Sequence, residues 1–380
     1  MLKEWTDKWN PFNSDKLLTH IYRWREIKRN LPIPLPVTIS IDPINRCDLK
    51  CSWCNADFIL KKNQGKLDSN TLKELPFFLA EWQSNSDFKK GVETVCIGGG
   101  GESLMNKDVS QLINNCYEVG IETGIVTNGT NIDKHIQSLI KCTWVGISVD
   151  AGSSETYQLL KGRDFFDKVI NNIRELIKLS SENKSSPLAQ PGQGPGVSLK
   201  YLLNPKNVGE IYQAAKIAKE IGCKNMHIRP SGESWDKIGQ NKDIFTYSDI
   251  EEFREQVVKA RSLEDEFFKV FGITHKFDGN FRKQNEFTQC HAIFMTGVFM
   301  PPSGGGKFNF GFCCDRRGDQ NLTLSNLTSF EEVANFWGSE EHWKIFDKIK
   351  PKTCPRCTYQ PHNIIFENVI KKNNTTYHFI

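Results

Sequence analysis

No stretch of this chain is apolar for long enough to cross a bilayer as a helix, which excludes a helical membrane protein. The N-terminus, Met1-Leu2-Lys3-Glu4-Trp5, lacks the apolar core of a secretory signal, so a cytoplasmic location is expected. An excess of one charge is also missing: 49 Lys and Arg against 45 Asp and Glu leave +4, interspersed along the chain, and no nucleic-acid surface is expected. Neither phosphate-binding pattern, G-x4-G-K-S/T or G-x-G-x-x-G before a helix, fits the glycine-rich turns. Disulfides are not expected either, because twelve cysteines without a secretory signal fit a reducing compartment and metal ligation. What is present is ordinary in bulk: 380 residues, 38% hydrophobic and 25% charged, enough for one large domain and a smaller one.

The cysteines are not ordinary. Cys47, Cys51 and Cys54 stand in C-x3-C-x2-C spacing directly after the apolar run Val37-Thr38-Ile39-Ser40-Ile41. Their neighbours Asn45, Arg46, Asp48 and Lys50 make a poor core segment. A closed zinc site wants four protein ligands, and no fourth lies close by. Three thiolates on a four-iron cube leave one iron open to an outside molecule, which makes a reactive site.

With Trp53 in the aromatic position before the third cysteine, this loop resembles the signature of the radical S-adenosylmethionine (SAM) superfamily. The resemblance implies a [4Fe–4S] cluster on Cys47, Cys51 and Cys54, with SAM bound through its amino and carboxylate groups to the open iron. It further implies one-electron cleavage of the sulfonium and hydrogen abstraction from a substrate by the 5′-deoxyadenosyl radical. A reducing flavodoxin or ferredoxin system is the implied electron source.

The β-branched runs at 37–41, 92–97, 121–126, 144–149, 197–203 and 225–229 alternate with helical or mixed segments, as in a parallel α/β array with functional groups at the strand C-terminal ends. The count matches the family's partial (βα)6 TIM-like barrel. The expected organisation is an N-terminal cap at 1–36 with a helix from Ser14 to Arg29, a barrel at 37–235, and a C-terminal cysteine-rich α+β extension at 236–380.

Several strand ends carry candidate groups. The second strand runs into Gly98-Gly99-Gly100-Gly101-Glu102, where missing side chains let backbone approach a ligand. This segment is similar to the family's Gly-Gly-Glu turn, which implies contacts from Gly99, Gly100, Gly101 and Glu102 to the amino group of SAM. The third strand ends at Thr127-Asn128-Gly129-Thr130, and the fourth at Ser148-Val149-Asp150. Either is a plain Asn- or Asp-capped turn in isolation. Beside the cysteine loop, Asn128, Ser148 and Asp150 resemble the groups that meet the ribose and carboxylate of SAM. Lys200 and Arg229, on the fifth and sixth strands, offer cations for a carboxylate or for structural ion pairs. Leu160-Lys161-Gly162-Arg163 faces SAM or water, and the Ser/Pro/Gly tract from Ser180 to Gly196 reads as a mobile loop without chemistry.

A second cysteine set follows: Cys290, Cys313-Cys314 and Cys354-Pro355-Arg356-Cys357. Spacing alone does not choose between zinc and a fully ligated cluster. The set resembles the SPASM and shortened "twitch" extensions of radical SAM enzymes, which implies one auxiliary [4Fe–4S] cluster on Cys290, Cys313, Cys354 and Cys357, with Cys314 competing for the place of Cys313. Electron transfer and a structural role both remain open for it. Cys96, Cys116, Cys142 and Cys223 read as packing residues, with Cys96 and Cys223 held in reserve as hydrogen-atom donors.

The resemblance names the chemistry and not the substrate. Residues 1–36 are too short for a leader-binding winged helix, which favours a carbohydrate or other small polar metabolite undergoing dehydrogenation or epimerisation, with the C-terminal tail closing over the barrel mouth. The alternatives are radical modification of a ribosomal peptide or protein side chain, and a non-catalytic iron–sulfur electron carrier.

Overall fold

The computed structural model describes residues 14–83, 90–189, 196–231, 245–272, 287–354 and 357–371. Most of the Pro/Gly half of the 180–196 tract, Pro355, Arg356 and the residues beyond 371 lie outside it.

Ten strands form one sheet: β1 (Thr38–Ile41), β2 (Thr94–Ile97), β3 (Glu122–Thr127), β4 (Trp144–Ser148), β5 (Gly196–Leu203), β6 (Asn225–Pro230), β7 (Lys269–Gly272), β8 (Thr296–Met300), β9 (Phe308–Gly311) and β10 (Thr323–Leu327). From β1 to β7 every pairing is parallel and follows chain order, with helices packed between successive strands. The first six are the parallel array expected from the alternation, in the partial (βα)6 barrel form that the resemblance implies, and β7 adds a seventh parallel strand. On the far side of β1, β8 pairs parallel to it, placing Phe299 opposite Ile41, and β9 and β10 continue antiparallel. Strands from either side of residue 236 therefore share one sheet.

Alternation within the strands separates two environments. Val95, Ile97, Ile125, Val145, Ile147 and Leu199 are at most 1% exposed and pack against helix residues such as Leu72, Leu112 and Ile173. Their neighbours in the chain, Thr94, Cys96, Gly124, Val126, Trp144, Ser148, Lys200 and Leu202, are only partly buried. Period-two patterning with one face covered by helices leaves the other face lining an open lumen.

The N-terminal cap differs from the expected long helix: a 3-10 turn at Ser14–His20 precedes one helical turn, Ile21–Trp24. Tertiary anchoring outweighs helix propensity here. The buried Arg23 guanidinium donates to the Leu35 and Gly91 carbonyls at 2.9 and 3.0 Å and to Glu93, while Trp24 Nε1 donates to Leu17 O at 3.0 Å. The serine half of the 180–196 tract is also ordered: the helix Phe166–Glu182 extends into it, Ser186 Oγ donates to Ile140 O at 2.6 Å, and Leu188 is 2% exposed.

Candidate active site

The cysteine loop follows β1 and is fastened at both ends. Lys50 N and Ser52 N donate to the carbonyls of Lys161 and Leu160 at 2.9 and 3.0 Å, at the C-terminus of the helix Ser154–Lys161. Gly162 ends that helix at φ +73°, and a Cβ there would lie 3.2 Å from Lys50, so glycine serves both the turn and the close approach. Asp48, inside the C-x3-C spacing, accepts from Asn128 Nδ2 at 2.7 Å and Thr130 Oγ1 at 2.6 Å, which ties the loop to the end of β3. Asn128 Nδ2 also lies 3.9 Å from Cys47 Sγ, and Leu49 N donates to that sulfur at 3.5 Å.

All three thiols are partly buried. Burial, then the nearby carboxylates Glu102 and Asp48, pushes the Cys47 thiol up to about 12 against the opposing Leu49 N–H. Holding thiolates there calls for positive charge nearby. Lys161 partly supplies positive charge: its ammonium pairs with Asp150, donates to Ser148 O at 3.1 Å and lies 5.9 Å from the Trp53 ring centroid. Although burial opposes its charge, Asp150 and the Cys51 and Cys47 sulfurs outweigh burial and raise its pKa.

The glycine segment has a different reason for its composition than ligand approach alone. A Cβ on Gly100 would come within 2.3 Å of Asn45 Oδ1, and one on Gly101 within 2.1 Å of Arg46 O, so these glycines let the segment lie flat against the cysteine loop. Gly101 N and Glu102 N donate to Ile44 O and Arg46 O at 2.8 and 2.7 Å. Gly99 stays exposed at the mouth at φ +150°, with the Arg317 guanidinium 2.4 Å from where its Cβ would stand.

Glu102 turns inward. Its carboxylate accepts from Thr127 Oγ1 at 2.6 Å, Asn128 N at 2.7 Å and Leu104 N at 3.0 Å. Burial still prevails over these donors and raises it to about 7. Asp150, at φ +61° and 0% exposed, pairs with Lys161 and accepts from Leu202 N at 2.6 Å. Glu102 and Asp150 thus brace the mouth, whereas Gly99, Asn128 and Ser148 border it and Arg229 stands exposed at the end of β6.

The second cysteine set converges. Cys290, Cys313, Cys354 and Cys357 line one pocket with Phe312, Asp315, Arg316 and Tyr359. Cys314 turns away, its Sγ donating to Tyr359 Oη at 3.3 Å and lying in the field of Cys96 and Arg317. Burial, then the neighbouring Cys354, pushes the Cys290 thiol up to about 12. Among the described residues no three His, Cys, Asp or Glu side chains are grouped to hold a single metal ion. Four thiols around one pocket, and three around the mouth, are donor sets that suit a cluster.

Sequence reasoning passed over Asp48, Thr130, Arg317 and Tyr359. A carboxylate inside a cysteine triplet was the available sign for Asp48. For Arg317 none existed, because its partners are distant in the chain.

Residues 41–195 match the family model described as the radical SAM superfamily. A probable GTP 3′,8-cyclase of Sulfurisphaera tokodaii is 26% identical over 175 residues, covering 45% of this chain and 50% of that protein. The antilisterial bacteriocin subtilosin biosynthesis protein AlbA of Bacillus subtilis is 24% identical over 242 residues, covering 62% of this chain and 47% of that one. This chain therefore spans about half the length of these curated relatives. Among solved structures, Streptococcus suis SuiB bound to precursor peptide SuiA superposes with TM-score 0.60 at 17% identity, over 95% of this chain and 78% of that chain. Native anSMEcpe with bound AdoMet and Kp18Cys peptide superposes with TM-score 0.55 at 16% identity, over 87% and 96%.

Proposed function

We propose that this chain, whose residues 41–195 match the radical SAM superfamily model, modifies a peptide or protein side chain by radical chemistry. The family's cofactors are a [4Fe–4S] cluster and SAM. When bound together they supply a 5′-deoxyadenosyl radical that takes a hydrogen atom from the substrate.

Cys47, Cys51 and Cys54 would hold that cluster. Asp48, clamped by Asn128 and Thr130, keeps the loop that carries them in register with β3. The Lys161 ammonium lies in the field of the Cys47 and Cys51 sulfurs, where it offsets negative charge. Gly99, Asn128 and Ser148 border the space for SAM, and the lumen lined by Cys96, Trp144 and Lys200 receives the substrate. Cys290, Cys313, Cys354 and Cys357 would hold an auxiliary cluster.

The observation that carries the polypeptide reading is the likeness to SuiB bound to its precursor peptide, which extends over 95% of this chain and so includes the cysteine-rich extension. AlbA supports the same direction. The sequence ranked this reading second, behind a carbohydrate or small polar metabolite. A small-molecule substrate keeps support in the likeness of 45% of the chain to the probable GTP 3′,8-cyclase.

The test is anaerobic incubation of reconstituted protein with SAM, dithionite and a library of short peptides, followed by mass spectrometry. Peptide-stimulated 5′-deoxyadenosine together with a peptide that has lost hydrogen is the expected outcome. No response to any peptide, with stimulation by a sugar or nucleotide, overturns it.

A further inference from the structure

We propose that Arg316 sets the reduction potential of the auxiliary cluster, by donating a charged hydrogen bond to the sulfur of Cys354. This rests on the assignment of that cluster to Cys290, Cys313, Cys354 and Cys357 and holds for any class of substrate.

Arg316 Nη1 donates to Cys354 Sγ at 3.7 Å, joining two segments 38 residues apart. The donor is held in place. Its Nη2 pairs with the carboxylate of Asp319, and the two side chains are 23% and 6% exposed. Asp319 N donates back to Arg316 O at 3.1 Å, closing a turn that passes through Gly318 at φ +76°, and Asp319 Oδ1 accepts from Asn321 N at 3.0 Å. The acceptor is held as well, because Cys354 N donates to Pro351 O at 3.0 Å at the end of the 3-10 turn Pro351–Thr353. The guanidinium fork thus addresses a carboxylate with one nitrogen and a sulfur with the other. A single ammonium has no such fixed fork.

Arg316 and Cys354 line the same pocket as the other three thiols. Asp315 lines it too, with its carboxylate accepting from Thr358 N at 2.6 Å and Thr358 Oγ1 at 2.8 Å. Four thiolates around a cluster concentrate negative charge, and an added electron increases it. A charge-assisted donor on one ligating sulfur stabilises the reduced cluster more than the oxidised one, so it raises the potential. The same bond orients the Cys354 side chain toward the pocket.

The experiment is a potentiometric titration of anaerobically reconstituted holoprotein followed by EPR, with and without SAM. The signal that responds to SAM belongs to the first cluster and serves as the internal reference; the other belongs to the auxiliary cluster. In Arg316→Met the reduction equilibrium of the auxiliary cluster is expected to fall about tenfold, which for one electron lowers its midpoint by about 59 mV. The reference signal should keep its wild-type midpoint. Arg316→Gln, a donor without charge, and Arg316→Lys, a charge without the fork, should each keep part of the effect. Circular dichroism and about eight irons per chain show that the variants fold and load. A wild-type auxiliary midpoint in loaded Arg316→Met overturns the inference. Equal shifts of both signals, the mark of a general structural change, do so too. Loss of the auxiliary iron in all three variants makes Arg316 a residue needed for assembly and overturns it as well. If wild-type protein holds only the SAM-responsive cluster, the auxiliary assignment falls and the inference with it, while the polypeptide reading stands.

Discussion

Arg317 Nε donates to Asp42 Oδ2 across 2.7 Å, so a residue just after Cys313 and Cys314 is clamped to the residue that follows β1. The same guanidinium donates to Gly98 O at 3.3 Å and to the carbonyl of Cys314. One side chain thereby joins the cysteine-rich segment, the first strand and the glycine segment. Asp42 and Cys314 stabilise its charge against burial and raise its pKa.

Arg317→Ala should leave Asp42, 1% exposed, as an unmatched buried carboxylate. Removing one partner of a buried pair costs about 3–5 kcal/mol. A loss in the lower part of that range is expected, since the Arg317 side chain keeps 17% exposure, and chemical denaturation of the holoprotein measures it. Lys at this position should recover only part of the loss, because it cannot reproduce the fork. A stability equal to wild type would show that the clamp is decorative.

Lys161 and Asp150 form the other buried pair, with side-chain exposures of 3% and 1%. Lys161→Met should destabilise more than Lys161→Met combined with Asp150→Asn, which removes the stranded charge and keeps a residue that tolerates φ +61°. Denaturation midpoints of the four proteins in the cycle give the coupling energy. An additive result would remove the pair from the account of how the cysteine loop is held.

Glu102 predicts a pH dependence. Burial raises its folded value to about 7 from the ordinary 4.5, so between those limits the native state binds more protons than the unfolded one. Stability should therefore fall as pH rises through that window, with the full penalty present above pH 7. The size is on the order of 3 kcal/mol. Urea titrations from pH 5.5 to 7.5 should show the slope in wild type and its loss in Glu102→Gln. A wild-type slope of the opposite sign would contradict the assignment.

The proposed auxiliary site separates two adjacent cysteines. Cys313→Ala, like Cys354→Ala or Cys357→Ala, should lower iron from about eight to about four per chain while the SAM-dependent EPR change survives. Cys314→Ala should keep both clusters, because its sulfur does not line the pocket and lies instead within the field of Cys96 and Arg317. Full iron in Cys313→Ala with half in Cys314→Ala would reverse their roles.

Much of the barrel was legible because its signals are local. The runs that became β1 to β6 are β-branched and separated by helix-length segments, and each strand lies within two residues of its expected bounds. Local signals failed where distant contacts dominate. Ser14 to Arg29 has helical character, but the buried Arg23 and Trp24 hold it in a shorter form. The tract from Ser180 looked too polar to pack, yet Leu188 finds the core.

From sequence alone came the three-thiol loop, the parallel array that presents it, and the existence of a second cysteine set, since spacing and periodicity are properties of the chain itself. Tertiary structure alone decided that Cys313 faces the pocket and Cys314 does not, that Asp150 and Glu102 brace the mouth, and that Lys200 packs against Trp144 beside His227. Those outcomes depend on burial and on partners far away in the chain. Asp42 meets Arg317 only because β8 docks beside β1 and carries the following segment back over the first strand.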